Sequence, residues 1–481
     1  MPVAVVHPTE DDPVARALSE GIGGPRGVHA RGHRWWTPVR LLLALTALTF
    51  ALGMVQKSGC FADTWEDGTA RYTQMCYSDL PYLYTARGFA ELNWPFSSDP
   101  QVRARYEVME YPVGIAYWAY GAAWVTHWLN GSPSLDERYV APVESLWGMP
   151  DVHREIRLYV VVNAIGFAVL ALLSTWLLAG VRRDRPWDAA GFALAPTLLA
   201  AGLVNWDLVA VVCVAGALFA WSRDRPGWTG VMIGLGTAAK LYPLFLLGGV
   251  LVLAWRSRRW ASFGRALAGA VVTWGLVNLP AYLSGPDQWK VFWSFNSGRT
   301  ADLGSLWLVA SDVFHTTFDA PTINHWSWLL FIAWCAAVLA AGVRARRTPT
   351  LAELGLLIVT GFLLVNKVYS PQYVLWLLPF AVLARPRWRD QLVWQGAELV
   401  YFAAVWWYLG GFLTSGRGDS HPVYDLAVLV RVAGQLFLVA LVVRSWFPRV
   451  SGAAAVGGEP STDDAGRMVD ESPLVGAAVG R

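Results

Sequence analysis

Apolar residues in this chain come in long blocks separated by short polar turns, and they do not alternate as they would in a half-buried strand. The first block, Val39 to about Gln56, is almost wholly apolar and is preceded by Arg31, Arg34 and Arg40. Its length suits a membrane-spanning helix, and the basic flank puts its start on the cytoplasmic side. Later blocks fall at approximately 158–180, 187–204, 208–222, 228–240, 241–255, 264–283, 326–343, 350–366, 372–384, 392–412 and 425–444. The pattern predicts an all-α polytopic membrane protein with about twelve transmembrane helices and both termini cytoplasmic. Between the first two blocks lies a polar island, 57–157, which is therefore expected outside.

The segment Tyr111 to Asn130 decides the rest of the topology. It is long enough to span, but it carries Tyr111, Tyr117, Trp118, Tyr120, Trp124, His127 and Trp128 and is flanked by neither Lys nor Arg. Aromatic residues of this kind favour the headgroup level. A crossing here would place the basic turns at 182–185, 223–225, 256–259 and 344–347 outside, against the positive-inside rule, so an interfacial helix within the external loop is expected. The blocks 228–240, 241–255 and 372–384 are shorter than the ~20 residues of a full span. They meet at turns containing Lys240, Pro243, Lys367 and Pro371, and irregular backbone at that depth must line a protein-walled or watery cavity.

Composition agrees: 55% of residues are hydrophobic and 15% charged, too apolar a balance for one water-soluble core of 481 residues. The net charge of +3 and the scatter of basic residues in short turns speak of topology and give no nucleic-acid surface. Residues 1–34 and 449–481, rich in Gly, Pro, Ala and charged residues, are expected to be disordered cytoplasmic tails around a transmembrane domain over 35–448. Cys213 and Cys335 fall in apolar blocks and read as packing residues. Cys60 and Cys76 share the external loop, where a disulfide would form in an oxidising compartment; two free thiols are the alternative.

The external turns collect the candidate chemistry. The loop supplies Cys76-Tyr77-Ser78-Asp79 and Glu110-Tyr111-Pro112; the turns add Asn205 and Asp207, Lys240 and Tyr242, Arg299 and Asp302, Lys367, Tyr369 and Gln372, and Arg417, Asp419 and His421. Acids, cations and aromatics on one face suit a reaction in which a carboxylate deprotonates a hydroxyl while cations stabilise a departing phosphate. Each has a plainer reading: Asp79 as a loop carboxylate, Lys240 and Lys367 as snorkelling cations, Arg299 as a partner of Asp302, Glu110 as a helix cap or second acid, and Asn205 or Asp207 as caps. The histidines are scattered and no metal-ligand motif is present.

Cys76-Tyr77-Ser78-Asp79 after the first span, Glu110-Tyr111-Pro112 before an aromatic helix, Lys240-Leu241-Tyr242-Pro243, and Lys367 through Tyr373 together resemble the GT-C membrane glycosyltransferases. Within them the likeness is to the actinobacterial polyprenyl-phosphate-mannose-dependent α-mannosyltransferases, over roughly 39–444. The resemblance implies a GT-C-like helical bundle in the plasma membrane, a polyprenyl-phosphate sugar as donor, a lipid-linked or polymeric glycan as acceptor, inversion at the anomeric carbon, and Asp79 as the base; no cofactor is expected, and no metal because no metal-ligand motif is present, although related oligosaccharyltransferases use a divalent ion. It implies mannose as the sugar, with arabinofuranose an alternative. Around Asp79, the residues of the external turns expected to contact substrate are Glu110, Tyr111, Asn205, Asp207, Lys240, Tyr242, Arg299, Lys367, Tyr369 and Gln372. Two rivals stand beside the enzyme: a transporter or flippase of a lipid-linked sugar, which would favour duplicated halves that this chain lacks, and a non-catalytic lipid-binding subunit.

Overall fold

A computed structural model describes residues 35–413 and 421–447, all within one compact unit that ends at Phe447. The two expected tails, Arg417 and Asp419 lie outside the described residues. Among the described residues there are helices and turns and no strand. The main helices are α1 (Pro38–Gln56), α2 (Asp79–Ala86), α3 (Val113–Leu129), α4 (Pro150–Val181), α5 (Asp207–Ser222), α6 (Pro226–Ala239), α7 (Leu246–Ser257), α8 (Trp260–Ser284), α9 (Pro286–Gly298), α10 (Leu306–Phe314), α11 (Ala320–Arg344), α12 (Leu351–Val365), α13 (Val374–Ala384), α14 (Trp388–Leu409) and α15 (Pro422–Trp446).

Five of these, α1, α4, α8, α11 and α15, are long and apolar enough to cross a membrane. Four shorter apolar helical segments, Asp207–Ser222, Tyr242–Ser257, Leu351–Val365 and Pro371–Ala384, accompany them. The polytopic reading stands, with five such helices and the shorter segments in place of a demonstrated twelve. One expected span is corrected: 187–204 is not a single helix but a 3-10 turn at Pro186–Ala189 and short helices at Ala190–Ala193 and Pro196–Ala201. Pro196 forces Ala195 into an extended conformation (φ −65°, ψ 118°), which ends the preceding helix. The pieces nonetheless pack inside the bundle, where Thr49 donates to the Ala193 carbonyl at 2.7 Å.

Close helix packing comes from small residues, as lipid gives little hydrophobic drive between helices. A Cβ on Gly230 would sit 2.0 Å from the Ala266 carbonyl oxygen, and one on Gly234 2.5 Å from that of Ala270, so α6 and α8 meet backbone to backbone. Buried polar pairs add register, as where Thr46 of α1 meets Thr175 of α4 at 2.7 Å.

The polar island, 57–157, is folded throughout its length. Helix α4 begins at Pro150, earlier than the apolar pattern starts, because the polar first turns carry Glu155. That fully buried carboxylate accepts from Tyr84 at 2.7 Å, from Arg138 at 2.6 Å and from Asn130 at 3.2 Å, and faces His127 Nδ1 at 3.2 Å. A buried carboxylate is tolerable only with partners, so this cluster ties α2, α3 and the 131–149 segment to α4. Helix α3, the expected interfacial helix, buries Ile115, Ala116, Ala119 and Ala123 and leaves Trp124, Val125, Trp128 and Leu129 exposed.

Candidate active site

The base candidate is set on a strap running from Gln74 to Asp79. Cys60 and Cys76 form a disulfide with a Cα–Cα distance of 5.7 Å. Three donors then cap successive carbonyls of the strap. Gln56 donates to Met75 O at 2.7 Å, Trp65 to Cys76 O at 3.2 Å and Lys57 to Tyr77 O at 2.9 Å. Downstream, the Ser78 hydroxyl donates to Leu203 O and the Asp79 amide to Val204 O, each at 2.9 Å. Ser78 is also the N-cap of α2, which puts Asp79 in its first turn.

Asp79 Oδ2 accepts from Asn205 Nδ2 at 2.5 Å and from the Tyr111 hydroxyl at 3.4 Å, and the same Asn205 nitrogen lies 2.6 Å from the Tyr111 oxygen. Burial pushes the Asp79 carboxyl above the usual carboxylate range; hydrogen bonds from Tyr77 and Asn205 and the charge of Lys240 pull the other way. Lys240, at the end of α6, lies over the Tyr111 ring at 4.8 Å and 3.5 Å from Asp207 Oδ1. Lys57 is buried as well, and burial lowers its ammonium to about 7 against the pull of Asp79.

These groups border a cavity of about 730 Å³ whose walls differ in chemistry. One wall, from α9, α11 and α12, carries Phe292, Trp293, Phe295, Trp328, Phe331 and Phe362. Beside it lie two cations. Lys367 donates to Asn324 Oδ1 at 2.6 Å and to Ser297 O at 3.1 Å, and burial together with the nearby Arg299 lowers its affinity for a proton. Arg299 pairs with Asp302 and rests over Phe295 at 5.3 Å.

The two cation-bearing loops are laced together. Asp302 N donates to Lys367 O and Tyr369 N to Leu303 O, each at 2.8 Å. Behind them Arg431, fully buried, is held between the rings of Tyr369 and Tyr401 at 3.6 and 3.7 Å. It donates to the carbonyls of Tyr369 and Gly304, and Gly304 takes a φ of +71° that suits glycine.

Of the residues expected to touch substrate, Asp79, Glu110, Tyr111, Asn205, Lys240, Arg299, Lys367 and Gln372 border the cavity. Three lie behind its wall. Asp207 accepts from Trp376 Nε1 at 2.6 Å, Tyr242 stacks on Trp376 at 4.5 Å, and Tyr369 is engaged with Arg431. Asp207 opens α5, while Tyr242 and Tyr369 lie in the turns before α7 and α13, and all three point inward. Glu110 reaches the cavity edge already bound to Arg87 by two bonds of 3.1 and 2.9 Å.

Residues not singled out in the sequence also take part. Asn324 and Ser297 seat Lys367, while Tyr72 and Trp406 line the cavity. Arg431 carried a signal, since it is a cation inside an apolar span, where charge marks function or a partner. Among the described residues no group of three or more His, Cys, Asp or Glu side chains is arranged to hold a metal.

The arrangement pairs one enclosed carboxylate with cations on neighbouring loops, next to a broad apolar wall. It can accept a proton at one end and balance phosphate charge at another. A comparison with curated proteins finds no match. Residues 150–366, which hold α4 to α12 with Asn205, Lys240 and Arg299, match the family model of glycosyltransferase family 87, and the match supports a membrane glycosyltransferase.

Proposed function

We propose that the protein transfers a sugar, mannose by resemblance, from a polyprenyl-phosphate donor to a lipid-linked or polymeric glycan at the outer face of the cell membrane, with inversion. The observation that carries this reading is the position of Asp79: its carboxylate is enclosed on the cavity wall beside Asn205, Tyr111 and Lys240, and the same cavity is bordered by Lys367 and Arg299. The acceptor hydroxyl oxygen attacks the anomeric carbon as its proton passes to Asp79. The bond from that carbon to the phosphate oxygen breaks, and its electron pair leaves with the polyprenyl phosphate. Lys367 and Arg299 balance that charge, the Arg through its planar fork and the Lys as a point charge. The apolar wall of α9, α11 and α12 suits an isoprenoid chain, and the family match favours an enzyme over a transporter.

The test is transfer from a radiolabelled polyprenyl-phosphate sugar into lipid and polymer fractions, wild type against Asp79→Asn in one detergent. A loss of roughly 10²-fold or more in a folded variant that still binds donor fits a general base. Equal activity in the two proteins would move the base elsewhere, and Glu110, bound to Arg87, is the next carboxylate on the cavity edge.

A further inference from the structure

A third wall of the cavity carries no cation. It is built by Tyr72 of the short helix Ala70–Thr73, by Tyr77, by Trp406 and Leu409 of α14, and by Gln372 of the turn Pro371–Tyr373. The short helix and the turn both pack against α14, and the Tyr77 ring lies 5.1 Å from that of Trp406 and 6.4 Å from that of Tyr72. Two residues of this wall, Trp406, 3% exposed, and Gln372, 6% exposed, each hold a buried polar atom that lacks a hydrogen-bond partner among the described residues, Nε1 and Oε1. A buried polar group left unpaired is costly, so a cavity wall that keeps two of them is matched to a ligand that pairs them.

We infer that Tyr72, Tyr77, Gln372 and Trp406 form the subsite for an uncharged sugar ring of the acceptor, an assignment that rests on the glycosyltransferase reading. The chemistry separates the possible occupants. A phosphate is an acceptor only: it would satisfy the indole N–H, but it could meet the carboxamide through the NH2 alone and would leave the carboxamide oxygen unpaired in either orientation. An isoprenoid satisfies neither group. A sugar hydroxyl both donates and accepts, so it satisfies the indole and the carboxamide whichever way the latter is turned. The aromatic rings offer an apolar surface to the C–H face of a pyranose. Tyr77 joins the two functions, since it stands two residues before Asp79 on the same strap and lines the same cavity.

The experiment is saturation-transfer NMR on the full chain in detergent, with neutral methyl hexopyranosides of manno, gluco and galacto configuration as probes. Polyprenyl phosphate binding is measured in parallel. At least one hexoside should receive saturation from the wild type. Trp406→Phe, which keeps a ring but loses the N–H, and Gln372→Ala should each weaken it roughly 3–10-fold, the scale of one neutral hydrogen bond. Tyr72→Leu, which removes one ring of the wall, should weaken it as well, and an unchanged thermal transition certifies folding of each variant. Polyprenyl phosphate should bind all of them as it binds the wild type. The inference is overturned if no hexoside receives saturation, if the variants bind hexoside like the wild type, or if hexoside and polyprenyl phosphate weaken together. Because the readout needs no turnover, Asp79-dependent transfer without hexoside binding at Trp406 sinks the subsite alone, whereas hexoside binding without any transfer sinks the enzymatic reading.

Discussion

The disulfide and the hydrogen bonds of the 74–79 strap do separable work, and replacing both Cys60 and Cys76 by Ser exposes the division. The bridge joins residues 16 apart in sequence. In the chain-entropy account, closing a loop of that size stabilises the fold by about 3 kcal/mol, and the double variant should lose that much. The placement of Asp79 has other supports: Gln56, Trp65 and Lys57 hold three consecutive carbonyls, and the Ser78 hydroxyl and the Asp79 amide reach Leu203 and Val204. At roughly 1 kcal/mol for each of these five contacts, the local ties exceed the contribution of the bridge. The double variant should therefore unfold earlier in an SDS titration yet retain sugar transfer within about tenfold of the wild type when assayed while folded, a change of ~1.4 kcal/mol in the barrier. Full retention of stability with a loss of transfer as deep as that of Asp79→Asn would refute the reasoning, for it would make the bridge the device that aims the carboxylate.

Arg431→Met should cost roughly 2–6 kcal/mol in the same titration, because the carbonyls of Tyr369 and Gly304 lose a buried donor; Arg431→Lys should recover only part, one ammonium being a poor substitute for a fork that reaches both. Lys367→Met should raise the donor KM about tenfold or more while leaving Asp79-dependent proton transfer in place, and an unchanged donor KM would remove Lys367 from phosphate binding. The acid limb of the pH–rate profile should lie above the ordinary Asp value of about 3.9, since burial raises the Asp79 carboxyl and only its ionised form accepts a proton; a limb at or below that value would contradict the enclosed geometry. For stability the sign is opposite: between about 3.9 and the raised value the folded state holds the proton that the unfolded chain has released, so this group's contribution falls as pH rises.

Much of the bundle was legible from the blocks of apolar residues, since lipid demands helices and helices of spanning length are visible as runs. The 186–204 segment misled because its composition is as apolar as a span, and only Pro196 hints at the break. Asp79 stood out because several unusual residues crowd around it in sequence, whereas Asn324, Trp406 and Arg431 reach the site from helices far along the chain and show only as polar or aromatic exceptions in apolar runs. Asp207 and Tyr242 illustrate the opposite limit. A turn can be located from sequence, but the direction in which each of its side chains points depends on the helices packed behind it, here on Trp376.

The broken segment before α5 has a consequence for anyone wishing to dissect the molecule. It ends at the buried residues Leu203 and Val204, whose backbone carbonyls accept from Ser78 and Asp79, with Asn205 completing the grip on the carboxylate. Half of the socket for Asp79 is thus made by the bundle and half by the polar island. The island is no detachable module: grafted onto another scaffold or expressed as a water-soluble fragment over 57–157, it would carry the carboxylate without the acceptors and amide that aim it. Redesign of specificity must therefore treat loop and bundle as one machined part.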